Sequence, residues 1–261
     1  MAPCYMNIFK RFILISFIYS FSTFAFILND MVSIPSGEYI PLFKYGNSQD
    51  GIYVKTFKIN KYPITNFEFK KFILNENSWH SCNIDIIFGD KNYLNHWRDV
   101  DLSLLYDYPV VYVSWFAADA YCSYIGGRLP TIDEWEYVAS AGVDSLCGRD
   151  EIGYFQTILD WYIASQVNGF VDVSKMRSNY FGVCGLNGYI WEWVSDFNSV
   201  ILINTDSEGG GLEEVLYCGA TATSAVNPID YVAFMRFAFR NTLEANYTNF
   251  NLGFRCVIDV K

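Results

Sequence analysis

The stretch GGRLPTIDEWEYVASAG, residues 126–142, combines a tight turn with the start of a helix. Thr131 is a favoured N-cap residue, and Glu134, three positions later, completes a capping box. Asp133 and Glu134 fall in the first turn, where the helix dipole favours acidic side chains. These features predict a helix that begins directly after Thr131 and offer a structural account of the two acidic residues, with a catalytic role as the alternative.

The segments on either side predict further short elements. The apolar run 110–113 predicts a buried strand, followed by a helix that Ser114 caps and that Gly126 and Gly127 end. The other predicted elements are strands within 32–34, 52–59, 188–197 and 251–260, and a helix capped by Thr65 or Asn66. Residues 75–108 and 143–185 lack periodicity and predict irregular chain.

The chain shows no internal repeat, low-complexity tract or linker, which predicts one α+β domain rich in irregular structure. Its 261 residues are 52% hydrophobic, enough to form a sizeable core. Aromatic residues reach 19%. Such side chains bury large areas while keeping polar tips, which suits a domain with many loops.

The first 25 residues resemble an export signal. Lys10 and Arg11 precede a long apolar run. Thr23 and Ala25 are small residues on either side of Phe24, a pattern typical of the residues before a cleavage site. We therefore predict a signal peptide at 1–25, a domain at 26–261, and a periplasmic or secreted protein with no membrane span after cleavage. An uncleaved membrane anchor is the alternative.

The charge of the chain argues against nucleic acid as a partner. The net charge is −10, and removal of 1–25 takes away two basic residues and no acidic ones, leaving −12. A protein of that charge repels a phosphate backbone.

Cysteine and histidine limit the metal sites that the chain can build. The predicted mature chain has six cysteines, an even number that permits disulfides in an exported protein. There is no Cys-x-x-Cys pair, and the only histidines are His80 and His96. Zinc-ribbon, thioredoxin-like and three-histidine metal sites are therefore disfavoured.

Five segments, in this order, resemble the formylglycine-generating enzyme family, also called the sulfatase-modifying-factor family. They are MVSIPSGEYI, FKINKYPITNFEFKKF, YPVVYVSWFAADAYCSYIGGRLPTIDEWEYVASAG, GLNGYIWEWVSDF and NLGFRCV. The resemblance covers nearly the whole predicted mature chain. It implies a single compact domain related to the C-type-lectin-like fold, in which Arg128, Glu134, Trp135 and Glu136 belong to the scaffold.

Other segments are most similar to a bacterial periplasmic branch of this family. They are HW in the 75–108 insert, SWFAADAYC, YCGA, DYVAFMRFAFRNTL and YTNFNLGFRC. Members of that branch are often encoded beside copper nitrite reductase. The resemblance therefore implies an accessory role for another exported protein.

The family's oxygen chemistry depends on two cysteines that bind Cu(I), a soft ion that thiolates suit. Aligned forward from Gly219, the first position falls on Thr223, and aligned back from Gly253, the second falls on Val232. Neither residue is cysteine, so copper binding and formylglycine generation are not expected. Cys218 and Cys184 are the candidates for a relocated thiolate site; a second disulfide or two buried thiols are the alternative.

The resemblance also implies a disulfide and a calcium site. Cys122 and Cys256 match the family's structural disulfide, whereas the pairing of Cys82, Cys147, Cys184 and Cys218 stays open. Gly188, Ile190 and Glu192 match three of the family's calcium ligands, and oxygen-rich irregular loops suit calcium. Gly185 stands where the fourth ligand belongs, so Asn187 or water would have to replace it. The alternative is that Glu192 pairs with Arg236 or Arg240.

Three functions remain after these arguments. The first is an accessory or maturation factor that acts on another exported protein or a small molecule. The second is a non-catalytic binding module whose aromatic loops, such as residues 77–100 with His96 and Trp97, hold a ligand; packing is the alternative role for these two residues. The third is a formylglycine-generating oxidase, which the missing cysteines disfavour. The residues leave catalysis, the partner and the oligomeric state open.

Overall fold

The computed structural model describes residues 31–40, 51–154, 171–198 and 238–260, together with 156, 158, 160 and 236. The chain divides into two compact units, Met1–Met31 and Val32–Lys261. The second unit holds the elements described below, apart from the first residue of β1. The predicted signal peptide lies outside the described residues.

Three helices begin at the caps that the sequence predicts. Helix α1 spans Asn66–Asn75, and Thr65 and Glu68 form its capping box. Helix α2 spans Trp115–Tyr124 and is capped by Ser114, whose hydroxyl accepts from the Ala117 amide. Helix α3 spans Ile132–Ala139 and has the capping box of Thr131 and Glu134. Each cap satisfies backbone amides that a helix start leaves unpaired, which fixes where the helices begin.

The seven strands in the described part of the chain are short and form three small sheets. The first sheet has the order β1 (Met31–Ile34), β4 (Phe57–Asn60) and β7 (Val257–Asp259), with β4 and β7 antiparallel. The second is the antiparallel pair β2 (Gly37–Tyr39) and β3 (Ile52–Val54). The third is the parallel pair β5 (Trp191–Glu192) and β6 (Leu252–Gly253).

Three predicted strands differ from the structure. The 52–59 strand is divided into β3 and β4, which belong to different sheets. The closing 251–260 strand is divided into β6 and β7. The 188–197 run keeps only the two residues of β5.

The predicted strand at 110–113 does not form. Tyr112 in this run has a left-handed backbone (φ 55°), which a strand cannot accommodate. Val110, Val111 and Val113 are nevertheless buried, so the run supplies core residues as irregular chain.

The α2–α3 connection packs tightly on the last strand. Gly126 takes the left-handed conformation that ends α2 (φ 81°), and a Cβ at Gly127 would clash with the carbonyl oxygen of Val257. Directly after it, the backbones of Arg128 and Val257 exchange two hydrogen bonds, at 2.9 and 2.8 Å. The disulfide Cys122–Cys256 joins α2 to the residue before β7 and closes a loop of 134 residues. This is the pair that the resemblance implied.

The expected fold class is confirmed. Short helices and strands are connected by long irregular segments, and 75–108 contains only single 3-10 turns beyond the end of α1. Within the described part of the chain, the helices are too short or too polar to cross a bilayer.

Candidate functional site

Glu192 of β5 and Arg255 form an ion pair inside the domain. Both side chains are 0% exposed. Arg255 Nη2 lies 2.7 Å from Glu192 Oε1, and Nε lies 2.8 Å from Oε2. The indole nitrogen of Trp135, in α3, donates to Oε2 at 2.7 Å. One carboxylate thus links α3, β5 and the closing segment of the chain.

Arg255 has a partner for each of its five N–H donors. Two donate to Glu192, and the other three donate to the carbonyl oxygens of Asn60 (3.1 Å), Lys61 (3.3 Å) and Cys184 (2.9 Å). A guanidinium offers five donors in a planar fork, so this arrangement leaves none unsatisfied. The guanidinium is therefore a fixed cation at the centre of the fold.

A second carboxylate, Glu136, is partly buried and faces two arginines. Arg236 binds both of its oxygens, at 3.0 and 2.7 Å, and Arg240 donates to Oε1 at 2.7 Å. Burial alone would raise the pKa of Glu136, but the two guanidiniums outweigh it and lower that pKa to about 2. Both guanidiniums also lie over the Trp135 ring, 5.4 and 4.7 Å from its centroid.

These contacts correct the predicted partners of Glu192. The sequence offers Arg236 and Arg240 as alternative partners, but both pair with Glu136, and Glu192 pairs with Arg255. A lone basic residue between Phe254 and Cys256 in an apolar closing segment is the sequence feature that indicates a buried partner.

Arg128 holds the N-terminus of α3 against the last strand. It forms a bidentate pair with Glu134 at 2.7 and 2.6 Å and contacts Asp259 of β7 at 2.6 Å. Since Glu134 also completes the capping box, the RLPTIDEWEY stretch serves as a scaffold in this structure, as the sequence predicted.

The predicted calcium ligands lie on the segment that leads into β5. Gly188 has a left-handed backbone (φ 92°), and Ile190 follows it. The third predicted ligand, the Glu192 carboxylate, does not fit calcium in this arrangement. Both of its oxygens already bind the Arg255 guanidinium, which would repel a calcium ion beside it. Calcium binding here therefore requires Glu192 to release Arg255, which a titration can test.

Cys184, one of the two candidate thiols, is buried in an apolar cluster with Val173 and Met176, against Tyr62 and Tyr189. Desolvation raises the pKa of its thiol, although nearby Lys61 and Arg255 oppose the change. A raised pKa disfavours the thiolate, which is the form that acts as a nucleophile and as a metal ligand. Cys218, Thr223 and Val232 lie outside the described residues, and the free cysteines Cys82 and Cys147 are exposed.

His96 and Trp97 both contact Asn66 at the start of α1. The amide nitrogen of Asn66 donates to three backbone carbonyls, so its Oδ1 is an acceptor, and His96 Nε2 (2.8 Å) and Trp97 Nε1 (2.6 Å) donate to it. Burial lowers the pKa of His96 to about 4. The imidazole stacks on Tyr112, with ring centroids 5.7 Å apart. Packing of the 75–108 insert onto α1 is thus the role that these contacts show.

The described residues contain no group of three or more His, Cys, Asp and Glu side chains placed to hold a metal ion. Two ion-pair clusters contact Trp135, one formed by Glu192 with Arg255 and the other by Glu136 with Arg236 and Arg240. This arrangement defines a small α+β domain whose loops are fixed from inside by arginine–carboxylate pairs.

The domain can be placed in a family. Residues 21–260 match the sulfatase-modifying factor enzyme 1-like domain, so the chain belongs to that family, which includes the formylglycine-generating enzymes. This match confirms the family that the five sequence segments resemble.

Individual relatives are distant. The chain is 30% identical to the formylglycine-generating enzyme of Streptomyces coelicolor over 63% of this chain and 58% of that protein. It is 24% identical to the inactive C-alpha-formylglycine-generating enzyme 2 of Mus musculus over 87% of this chain and 84% of that protein. The crystal structure of CarF is similar at a TM-score of 0.49 and 14% identity, over 89% of this chain and 98% of that one. The chain thus covers less than two thirds of the Streptomyces enzyme.

Proposed function

We propose that the protein is an exported accessory or maturation factor and not a competent formylglycine generator. The statement that it does not generate formylglycine rests on one observation. Thr223 and Val232 occupy the positions where the resemblance places the paired copper cysteines. Without two thiolates, the soft-ligand site that Cu(I) prefers is missing.

The contacts of the described cysteines support this proposal. Cys122 and Cys256 are consumed in a disulfide. Cys184 has a raised thiol pKa in an apolar cluster, and its carbonyl binds the central guanidinium. The same family includes a mouse relative whose name describes it as inactive. Loss of the oxidase chemistry on a retained scaffold therefore has a precedent within the family.

An oxygen-consumption assay tests the missing activity. The full chain is loaded with Cu(I) and given a cysteine-containing sulfatase peptide, and we expect neither oxygen uptake nor conversion of the peptide. The double variant Thr223→Cys, Val232→Cys should gain stoichiometric Cu(I), because it restores both thiolates. The double variant Thr223→Ser, Val232→Ala is the matched control. Peptide oxidation by the natural chain would overturn the proposal in favour of a formylglycine-generating oxidase.

Cu(I) titration also tests a relocated thiolate site. If Cys218 and Cys184 replaced the family's pair, the natural chain would bind one Cu(I), and Cys218→Ser would abolish it. We expect no such binding, because burial in an apolar cluster raises the pKa of the Cys184 thiol and so disfavours the thiolate that would bind the ion.

The accessory role rests on the predicted export signal and on the similarity to the branch encoded beside copper nitrite reductase. Reconstitution tests it directly. Apo copper nitrite reductase is reloaded with copper in the presence or absence of the full chain, and the chain should raise the rate or the yield of active enzyme. An equal yield with serum albumin in its place would contradict the role.

A non-catalytic binding module is the second candidate, because the 75–108 insert exposes a contiguous apolar run. Ile86, Ile87 and Phe88 are all exposed, next to the acidic residues Asp85 and Asp90. Changing Ile86 and Ile87 to Ser should leave the fold intact. If these changes abolished the effect on nitrite reductase, the insert would be the recognition surface.

A further inference from the structure

A solvent-open cavity of about 260 Å³ lies between the segment that follows α3 and residues 177–187. A cavity of this size can hold several water molecules or one small organic molecule. It is separate from the two ion-pair clusters around Trp135, since none of their members lines it.

The walls of the cavity are fixed by groups whose hydrogen bonds are already made. The Glu151 carboxylate accepts from the backbone amides of Val143, Asp144 and Ser145, at 2.7 to 3.0 Å. The Asn179 side chain donates to the Val138 carbonyl at 2.7 Å and accepts from two backbone amides of its own turn. These contacts give the cavity a preformed shape, as is usual for small-molecule sites.

One polar atom in the wall has no partner. Asn187 is 4% exposed and lines the cavity, and its Oδ1 makes no hydrogen bond with the described residues. Its amide nitrogen faces the carbonyl of Ala139 at 3.5 Å, so the oxygen is the free end of the amide. A buried acceptor is normally satisfied by protein, water or ligand.

Besides Glu151, two residues of opposite charge line the same cavity. Arg177 and Asp144 are exposed residues, and their side chains form no hydrogen bond or ion pair within the described part of the chain. Because the Glu151 carboxylate already accepts from three backbone amides, the groups left for a ligand are one cation, one anion and one buried neutral acceptor. A small zwitterion has the complementary set: a carboxylate for Arg177, and an ammonium for Asp144 and for Oδ1 of Asn187.

We propose that this cavity binds a small free amino acid, with its carboxylate on Arg177 and its ammonium directed to Asp144 and Asn187. The site is independent of the missing copper cysteines and of the accessory role. It would give an exported protein of this family a small-molecule ligand of its own.

Calorimetric titration of the full chain with L-serine tests the proposal. We expect millimolar affinity for L-serine and at least about tenfold weaker binding of acetate and of ethylammonium, each of which lacks one charge of the zwitterion. Arg177→Gln should weaken L-serine at least about tenfold, since it removes a charge-assisted contact at an exposed position. Lys175→Gln removes a nearby exposed charge that does not line the cavity, and it should change nothing.

Asn187→Leu removes the buried acceptor, and circular dichroism shows whether that variant still folds. If Asn187→Leu folds, it should lose L-serine binding. If it does not fold, Arg177→Gln alone tests the proposal. Equal affinity of the natural chain and Arg177→Gln for L-serine would overturn the proposal. So would equal binding of acetate and L-serine, or a crystal grown with L-serine that shows only water in the cavity.

Discussion

Glu192→Gln is the most informative single change, because it removes one charge and almost no volume from the centre of the domain. The variant leaves the Arg255 guanidinium at 0% exposure without its counter-ion. The glutamine oxygen can still accept one hydrogen bond, but its amide group would face a second N–H donor of the arginine. An unpaired buried charge is therefore the consequence.

The expected cost follows from that burial. Breaking a buried ion pair by removing one partner costs about 3–5 kcal/mol, a large part of the stability of a typical domain. For a domain of this size each kcal/mol corresponds to about 2–4 °C, so the unfolding midpoint should fall by roughly 6–20 °C. Asp259→Asn is the matched control, since it breaks the exposed pair with Arg128 and should cost at most about 1 kcal/mol.

Thermal and urea unfolding, followed by circular dichroism, measure both variants. The double variant Glu192→Gln, Arg255→Met removes both charges and should recover part of the loss, because no buried charge remains. The free energy of unfolding of Glu192→Gln should differ from that of the natural chain by more than about 1 kcal/mol, the scale of an exposed pair. A smaller difference would show that the Arg255 guanidinium is not buried as described, and the reasoning would fail.

Three further predictions concern the disulfide, pH and calcium. Cys122→Ser opens a loop of 134 residues and should cost about 5 kcal/mol in the chain-entropy model, whereas Cys82→Ser, at an exposed free thiol, should be neutral in the same urea titration. The pKa of Glu136 is lowered from 4.5 to about 2, so the ionised carboxylate stabilises the fold fully above pH 4.5. As the pH falls from 4.5 to 2, the free energy of unfolding should decrease by about 3 kcal/mol from this group. Glu136→Gln should not show that decrease. Calcium added to chelator-treated protein should leave the unfolding midpoint unchanged while Arg255 holds Glu192, and a rise of several degrees would show that the carboxylate exchanges its partner for the ion.

The sequence by itself determined the local features of this protein. The starts of α1, α2 and α3 follow from Thr65, Ser114 and Thr131, because a cap involves residues only three positions apart. The irregular insert and the single α+β domain were also predictable, from missing periodicity and from the resemblance of whole segments.

Only the tertiary structure decided which distant residues meet. Glu192 and Arg255 are 63 positions apart, and local pattern could not choose Arg255 over Arg236 or Arg240, since all three are equally basic in sequence. The left-handed backbone of Tyr112 likewise prevents a strand in a run whose side chains favour one. Side-chain chemistry along the chain sets which groups need a partner when buried, but the path of the whole chain sets which partner is within reach.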